Sequence, residues 1–297
     1  MNSIFLTFTI KDLEHLSGIK AHTIRIWEKR YGILTPERTD TNIRYYGMKQ
    51  LKKLLNVALL YRGGYKISKI GALADSDIER LVLEYNAKGD DAHGYVDQLV
   101  LAMLQFDQKQ FEQIYNRLTA DFSFRYVFVK VFVPLLYNVG LQWQSDQITP
   151  AHEHFISNLI KQKLHLNIER VQQQANSTNG HAYVLFLPQY EIHELGLLYL
   201  NYELLLNGYN TVYLGQSVPL DSLVVFKETH KELIFISYFT IFPTADDLPE
   251  YLTNLEEIMR PEDAAWLGGR QVHGIESSSK NIILFKDIEE MINKVSN

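Results

Sequence analysis

Hydrophobic spacing divides this chain in two. Before about residue 174 the apolar positions recur at helical intervals; from His181 onward short apolar blocks alternate with helical stretches. At the start, a threonine cap at Thr9 and a stop at Gly18 bound a short helix with Leu13 and Leu16 facing inward. A second helix, Ala21 to Lys29, turns Ile24 and Trp27 inward and Thr23 and Arg25 outward. Further on come Leu99, Leu101, Met103 and Leu104; Phe111, Ile114, Tyr115 and Leu118; then Val127, Phe128, Val131, Phe132, Leu135 and Leu136. With a last helix from His152 to about Gln173, these predict a four-helix bundle. Downstream, strands are expected at His181 to Leu187, Asn210 to Leu214, Leu233 to Ser237, Ala264 to Leu267 and Ile282 to Phe285. Helices are expected between them at Glu194 to Leu206, Leu220 to His230 and Leu248 to Met259. That alternation predicts a doubly wound parallel sheet, so the fold class is multi-domain, α followed by α/β.

Composition narrows the setting. The 297 residues allow two or three domains, and the pattern places them at 1–74, 75–174 and 175–297. No cysteine is present, which excludes disulfides, thiolate zinc sites and cysteine nucleophiles. No apolar run is expected to span a bilayer and no secretory signal is visible, so a cytoplasmic protein without a membrane partner is expected. The net charge of −6 is unevenly spread: residues 1–74 hold 13 Lys/Arg against 5 Asp/Glu, and the rest hold 16 against 30. A basic module on an acidic body suits a nucleic-acid binder with a separate regulatory part.

Two short helices joined through a glycine turn form a helix-turn-helix, whose second helix enters the major groove. The segment from Arg25-Ile26-Trp27-Glu28-Lys29-Arg30-Tyr31-Gly32 through Pro36-Glu37-Arg38 to Asn42-Ile43-Arg44-Tyr45-Tyr46 resembles the MerR family of winged-helix regulators. The resemblance implies a wing from Leu34 to Tyr46 and a helix from Gly47 to Arg62. It implies double-stranded operator DNA as partner, Thr23 and Arg25 facing bases, and Tyr31, Arg38, Arg44 and Tyr45 gripping phosphates. The long dimerising helix usual in that family is missing. Asp75 to Asn86 offers only Leu81, Val82 and Leu83 before Gly89-Asp90-Asp91, so self-association as a dimer or tetramer is expected to depend on the later domains.

A histidine sits where an α/β sheet presents its ligands, in the loop Pro188 to Gly196 after the first strand. His193 can be a metal ligand or an ordinary loop histidine, and Glu191 is placed to fix its tautomer. The intervals extend beyond the loop: Glu191-x-His193-x-x-Gly196, 40 residues, Ser237-x-Phe239, 28 residues, Gly268-Gly269. Upstream, Trp143 is followed after nine residues by Glu153-His154. Together these resemble the cobalamin-binding regulators of the MerR superfamily, among them the adenosylcobalamin photoreceptors. The resemblance implies His193 as lower cobalt ligand, Gly196 letting the backbone pass closely beneath the cofactor, Ser237, Gly268 and Gly269 lining a slot for its nucleotide tail, and Trp143, Glu153 and His154 covering its upper face.

Two departures from the pattern bear on the response. Gln144 stands where some light-sensing members have a second histidine, although His152 or His154 offers a substitute, and Phe239 is expected to narrow the tail slot. The function implied is a transcriptional repressor whose assembly and operator binding are set by adenosylcobalamin, with light as a possible input. The alternative is a MerR-type regulator whose sensor has lost cobalamin. A cobalamin enzyme needs a substrate barrel for which no length remains, and no catalytic constellation is evident, so no enzymatic activity is expected.

Overall fold

The computed structural model describes residues 7–88, 92–144, 148–173, 181–275 and 279–296. The chain forms two compact units, Met1–Leu159 and Ile160–Asn297. Gly89-Asp90-Asp91 lie outside the described residues.

The first unit opens with β1 (Thr7–Phe8) and α1 (Ile10–Ser17). Thr9 and Asp12 form a reciprocal capping box, and Gly18 ends the helix in the left-handed region at φ 69°. α2 (Ala21–Tyr31) follows and stops at Gly32, φ 60°. β2 (Glu37–Arg38) and β3 (Arg44–Gly47) form the wing, with β3 paired antiparallel to both β1 and β2. α3 (Met48–Arg62), α4 (Ile67–Ile70) and α5 (Asp75–Lys88) complete the module. Leu13, Ile24, Trp27, Tyr46, Leu51 and Leu54 are all buried, which leaves His22, Arg25, Ile26, Lys29 and Arg30 on the outward face of α2.

Four helical rods follow. α6 (Ala92–Leu104) and α7 (Gln108–Asp121, capped by Asp107) are followed by a third rod built from α8 (Phe124–Val127), a π-helical turn (Phe128–Phe132) and α9 (Val133–Gln144). The wide turn immediately precedes Pro134, whose ring would crowd the Lys130 carbonyl in a regular helix; the Val133 N–H reaches back to the Phe128 carbonyl instead. The last rod is α10 (Pro150–Gln172). One expectation needs correcting: Phe124–Gln142 is a 19-residue stretch long and apolar enough to cross a membrane. Here Val127, Phe128, Val131, Phe132, Leu135 and Val139 on that rod are buried in the protein.

In the second unit β4 (His181–Pro188), α11 (Leu195–Leu206), β5 (Asn210–Val218), α12 (Phe226–Thr229), β6 (Glu232–Tyr238), α13 (Leu248–Ile258), β7 (Ala264–Gly268), β8 (Ile282–Leu284) and α14 (Ile288–Ser296) build a five-stranded sheet of order β5-β4-β6-β7-β8. Every neighbouring pair is parallel. The expected helix Leu220 to His230 is a 3-10 turn over Leu220–Val225 and a single α-helical turn; Pro219 and the β-branched Val224 and Val225 disfavour a longer one. α14 went unread in the sequence. Phe235, Phe239, Leu248 and Leu255 share an apolar core on one face of the sheet. On the other, α11 packs against α14.

Candidate functional site

In the strand order β5-β4-β6-β7-β8 the chain reverses direction between β4 and β6, and loops leaving the carboxyl ends of two such strands diverge to form a crevice. Here both loops converge on one side chain. Glu191, with no exposed surface, accepts hydrogen bonds through Oε1 from the backbone N–H groups of Ile192 (2.8 Å) and His193 (2.9 Å), and from the His193 ring at Nδ1 (2.6 Å). Its Oε2 accepts from the backbone N–H groups of Thr240 (3.0 Å), Ile241 (2.6 Å) and Phe242 (3.0 Å). Burial alone would raise this carboxyl. The His193 ring and the backbone donors of Ile241, Phe242 and His193 outweigh it and hold the pKa at about 2.

The consequence for His193 is chemical. A carboxylate only accepts, so Nδ1 carries a proton, and in the neutral ring the basic lone pair is on Nε2. The imidazole is 43% exposed, and Tyr190, Ile192 and Ile241 present apolar surface along the same pair of loops. An imidazole whose Nδ1 is held by a carboxylate, on an apolar rim, would suit cobalt in a flat macrocycle through Nε2.

Beside it, the nearly buried Glu194 accepts from Lys161, from the Tyr213 hydroxyl (2.8 Å) and from Gln216 (2.8 Å). Burial, then the Glu194 charge, push the Tyr213 phenol well above its ordinary range. Gln216 also donates to the Ile192 carbonyl (2.8 Å), which ties β5 to the histidine loop. None of these anchors was evident in the sequence, because the pairs lie too far apart along the chain to form a motif.

The expected slot residues separate. Ser237 is fully buried and donates to the Phe186 carbonyl (2.7 Å). Phe239 does not narrow a slot: it packs edge-to-face on Tyr251 in the apolar core across the sheet from α11. Gly269, at φ 106°, lies so near the Phe239 backbone that a Cβ would fall 2.3 Å from its carbonyl oxygen, so glycine is needed there for the chain crossing itself. Gly196 and Gly268 do face one another, with the Tyr238 ring between them. A Cβ on Gly196 would lie 3.3 Å from the ring's Cδ1, and one on Gly268 would lie 3.2 Å from its Cδ2.

In the first unit, Glu153 and His154 lie in the first turn of α10 and pair at 2.7 Å, with the histidine side chain 70% exposed. His152 is buried, stacked on Phe106 at 4.5 Å and bound to Thr149, and burial lowers its pKa. Trp143 and Gln144 end α9; their side chains are outside the described residues. Of the expected DNA contacts, Arg25 is exposed on α2 and Thr23 is half-buried beside His22. Tyr31 is half-buried, its Cβ against Gly71. Arg38 braces the wing turn through the Asn42 side chain (2.6 Å), and Tyr45 donates to Glu37 (2.8 Å). Glu28 on α2, unnoticed in the sequence, pairs with Arg44 (3.3 Å) and accepts from the buried Tyr46 hydroxyl (2.9 Å).

Known proteins match this arrangement segment by segment. Residues 8–77 match the MerR HTH family regulatory protein model and residues 95–166 the B12 binding domain model. The chain is 28% identical over 273 residues to the HTH-type transcriptional repressor CarH of Myxococcus xanthus, covering 89% of each. It is 23% identical over 219 residues to the repressor CarA of the same organism, covering 73% of this chain and 71% of that one. A monomethylamine corrinoid protein of Methanosarcina barkeri shares the fold, with a TM-score of 0.53 at 17% identity over 68% of this chain and 93% of its own. The chain is a MerR-type DNA-binding regulator with a B12-binding domain.

Proposed function

We propose that this regulator is a repressor whose oligomeric state and hold on operator DNA are set by adenosylcobalamin. The observation that carries the reading is Glu191, a buried carboxylate that fixes the His193 tautomer and joins the two loops at the sheet's reversal point. In this reading residues 1–74 bind DNA, 75–174 cover the cofactor and 175–297 hold it. His193 is the lower cobalt ligand, Glu191 its orienting partner, and Gly196, Ser237, Gly268 and Gly269 support the tail region. Trp143, Glu153 and His154 serve the alkyl-bearing side, where the exposed Glu153–His154 pair suits ribose hydroxyls. Thr23 and Arg25 read bases; Tyr31, Arg38, Arg44 and Tyr45 hold phosphates.

Bound adenosylcobalamin supplies a light-labile cobalt–carbon bond. Clustering several DNA-binding modules in one homo-oligomer raises operator affinity by avidity, and loss of the assembly releases it. A cytoplasmic location and the lack of an enzymatic step follow from this role. Reconstitution in the dark is the test: adenosylcobalamin should bind, shift the elution volume and tighten operator binding, and absence of both binding and shift sinks the proposal. His193→Ala should remove the absorption signature of imidazole-bound cobalt while leaving the fold intact.

A second reading, a regulator that has lost cobalamin, draws on the Tyr238 ring between Gly196 and Gly268. Colourless protein from cobalamin-fed cells with unaltered DNA affinity favours it.

A further inference from the structure

Tyr238 is the last residue of β6, at the same sheet edge as the His193 loop. Its neighbours in sequence, Ser237 and Phe239, are fully buried, and Phe239 belongs to the core on the α13 side. Strand alternation therefore sends the tyrosine to the opposite face, between α11 and α14. There the hypothetical Cβ atoms of Gly196 meet the ring's Cδ1 and Cε1 edge at 3.3 and 3.4 Å. Those of Gly268 meet the Cδ2 and Cε2 edge at 3.2 and 3.4 Å. A side chain at either glycine would press on the ring. Ile288 of α14 lies 3.6 Å from the same Gly196 position and Met291 lies against Gly268, which together enclose the site. The two glycines thus define a space one aromatic ring across, opening at the edge that carries the cobalt ligand. Burial, and after it the charge of Asp287, hold the phenol in its neutral form.

We infer that Tyr238 is a gate: its ring occupies the space that the flat benzimidazole base of cobalamin's nucleotide tail must enter, and it swings out when the tail goes in. The inference rests on the cobalamin reading of His193 given above. A planar ring between two glycines matches a planar base in shape and in apolar character, so one can replace the other with little change to α11 or α14. A ring that must leave first makes the tail-competent state a minority species. A minor state populated at about 10% or less lowers apparent affinity about tenfold or more. Corrinoids without a base need no such displacement.

The experiment compares aquocobalamin with diaquocobinamide, which lacks the nucleotide tail, by stopped-flow absorbance on the full chain in the dark. Tyr238→Ala should bind cobalamin about tenfold faster or more than wild type while cobinamide changes by less than about twofold. An unchanged cobalamin rate, or equal acceleration of both corrinoids, overturns the gate. A second measurement does not depend on the alanine variant folding. In protein carrying 3-fluorotyrosine, the fluorine resonance missing from Tyr238→Phe identifies residue 238. It should move on addition of cobalamin and stay on addition of cobinamide; a resonance unmoved by bound cobalamin overturns the gate alone. Wild type that takes up neither corrinoid overturns the cobalamin reading and the gate together.

Discussion

Glu28 and Glu191 do the same job in different surroundings. Each carboxylate joins two elements distant in sequence: Glu28 links α2 to the wing through Arg44 and Tyr46, and Glu191 links the loop after β4 to the loop after β6. Glu28 keeps part of its surface in water and Arg44 is 40% exposed, so that clamp is screened and adjustable. Glu191 has no exposed surface and takes five backbone donors and an imidazole. A wing has to adapt to a duplex, whereas a metal ligand, the role proposed for His193, has to be held in one orientation. The same side chain serves both ends because burial decides how tightly it holds.

The contrast is broken most forcefully at Glu191. Glu191→Ala strands five buried backbone donors and should cost about 3–5 kcal/mol in urea unfolding of the full chain, with loss of any corrinoid binding. Next in size, Arg25→Ala should weaken operator binding by about 1–3 kcal/mol and relax sequence preference, measured by competition against mutated operators. Arg44→Ala should instead weaken all duplexes alike and lower the slope of log affinity against log salt by about 1. Glu28→Gln should cost only about 1 kcal/mol of stability, because the amide still accepts from Tyr46 and Arg44 can turn to solvent. The smallest effect is expected from Asp263. Burial opposes its ionisation, but Arg260 and the Arg260 and Leu233 backbone N–H groups lower its pKa below the ordinary value. Its contribution is complete above the unfolded carboxyl pKa and is lost as pH falls through the folded one. Asp263→Asn should therefore lower stability modestly at neutral pH, converge with wild type in acid, and so flatten the acid limb of the stability profile.

Sequence alone carried the sheet because strand alternation is periodic, and the Glu191–His193 pair because it is local; Ser237 and Gly268 were reached only through a family resemblance in their spacing. The wing module was legible for the same reason. What escaped was set by direction or distance. Phe239 and Tyr238 are adjacent, and only the strand's pleat decides that the first enters the core and the second stands between the glycines. Lys161 and Glu194 are 33 positions apart and Glu28 and Tyr46 are 18 apart, so no local pattern pairs them. The stretch Leu220 to Val225 is apolar at helical spacing, yet its β-branched residues and leading proline favour the tighter turn.

The Glu191 hub also closes a long loop of chain. Glu191 and its partner Ile241 are 50 positions apart, a span that holds α11, β5, α12 and β6. Closing so long a loop carries an entropic cost that local helices do not meet, and the β4–β6 pairing has to offset it. His193 is therefore held through both loops only once the central strands have docked. While those strands are apart the Glu191 carboxylate lacks its partners at 240–242, so full anchoring of the histidine loop is coupled to completion of the sheet.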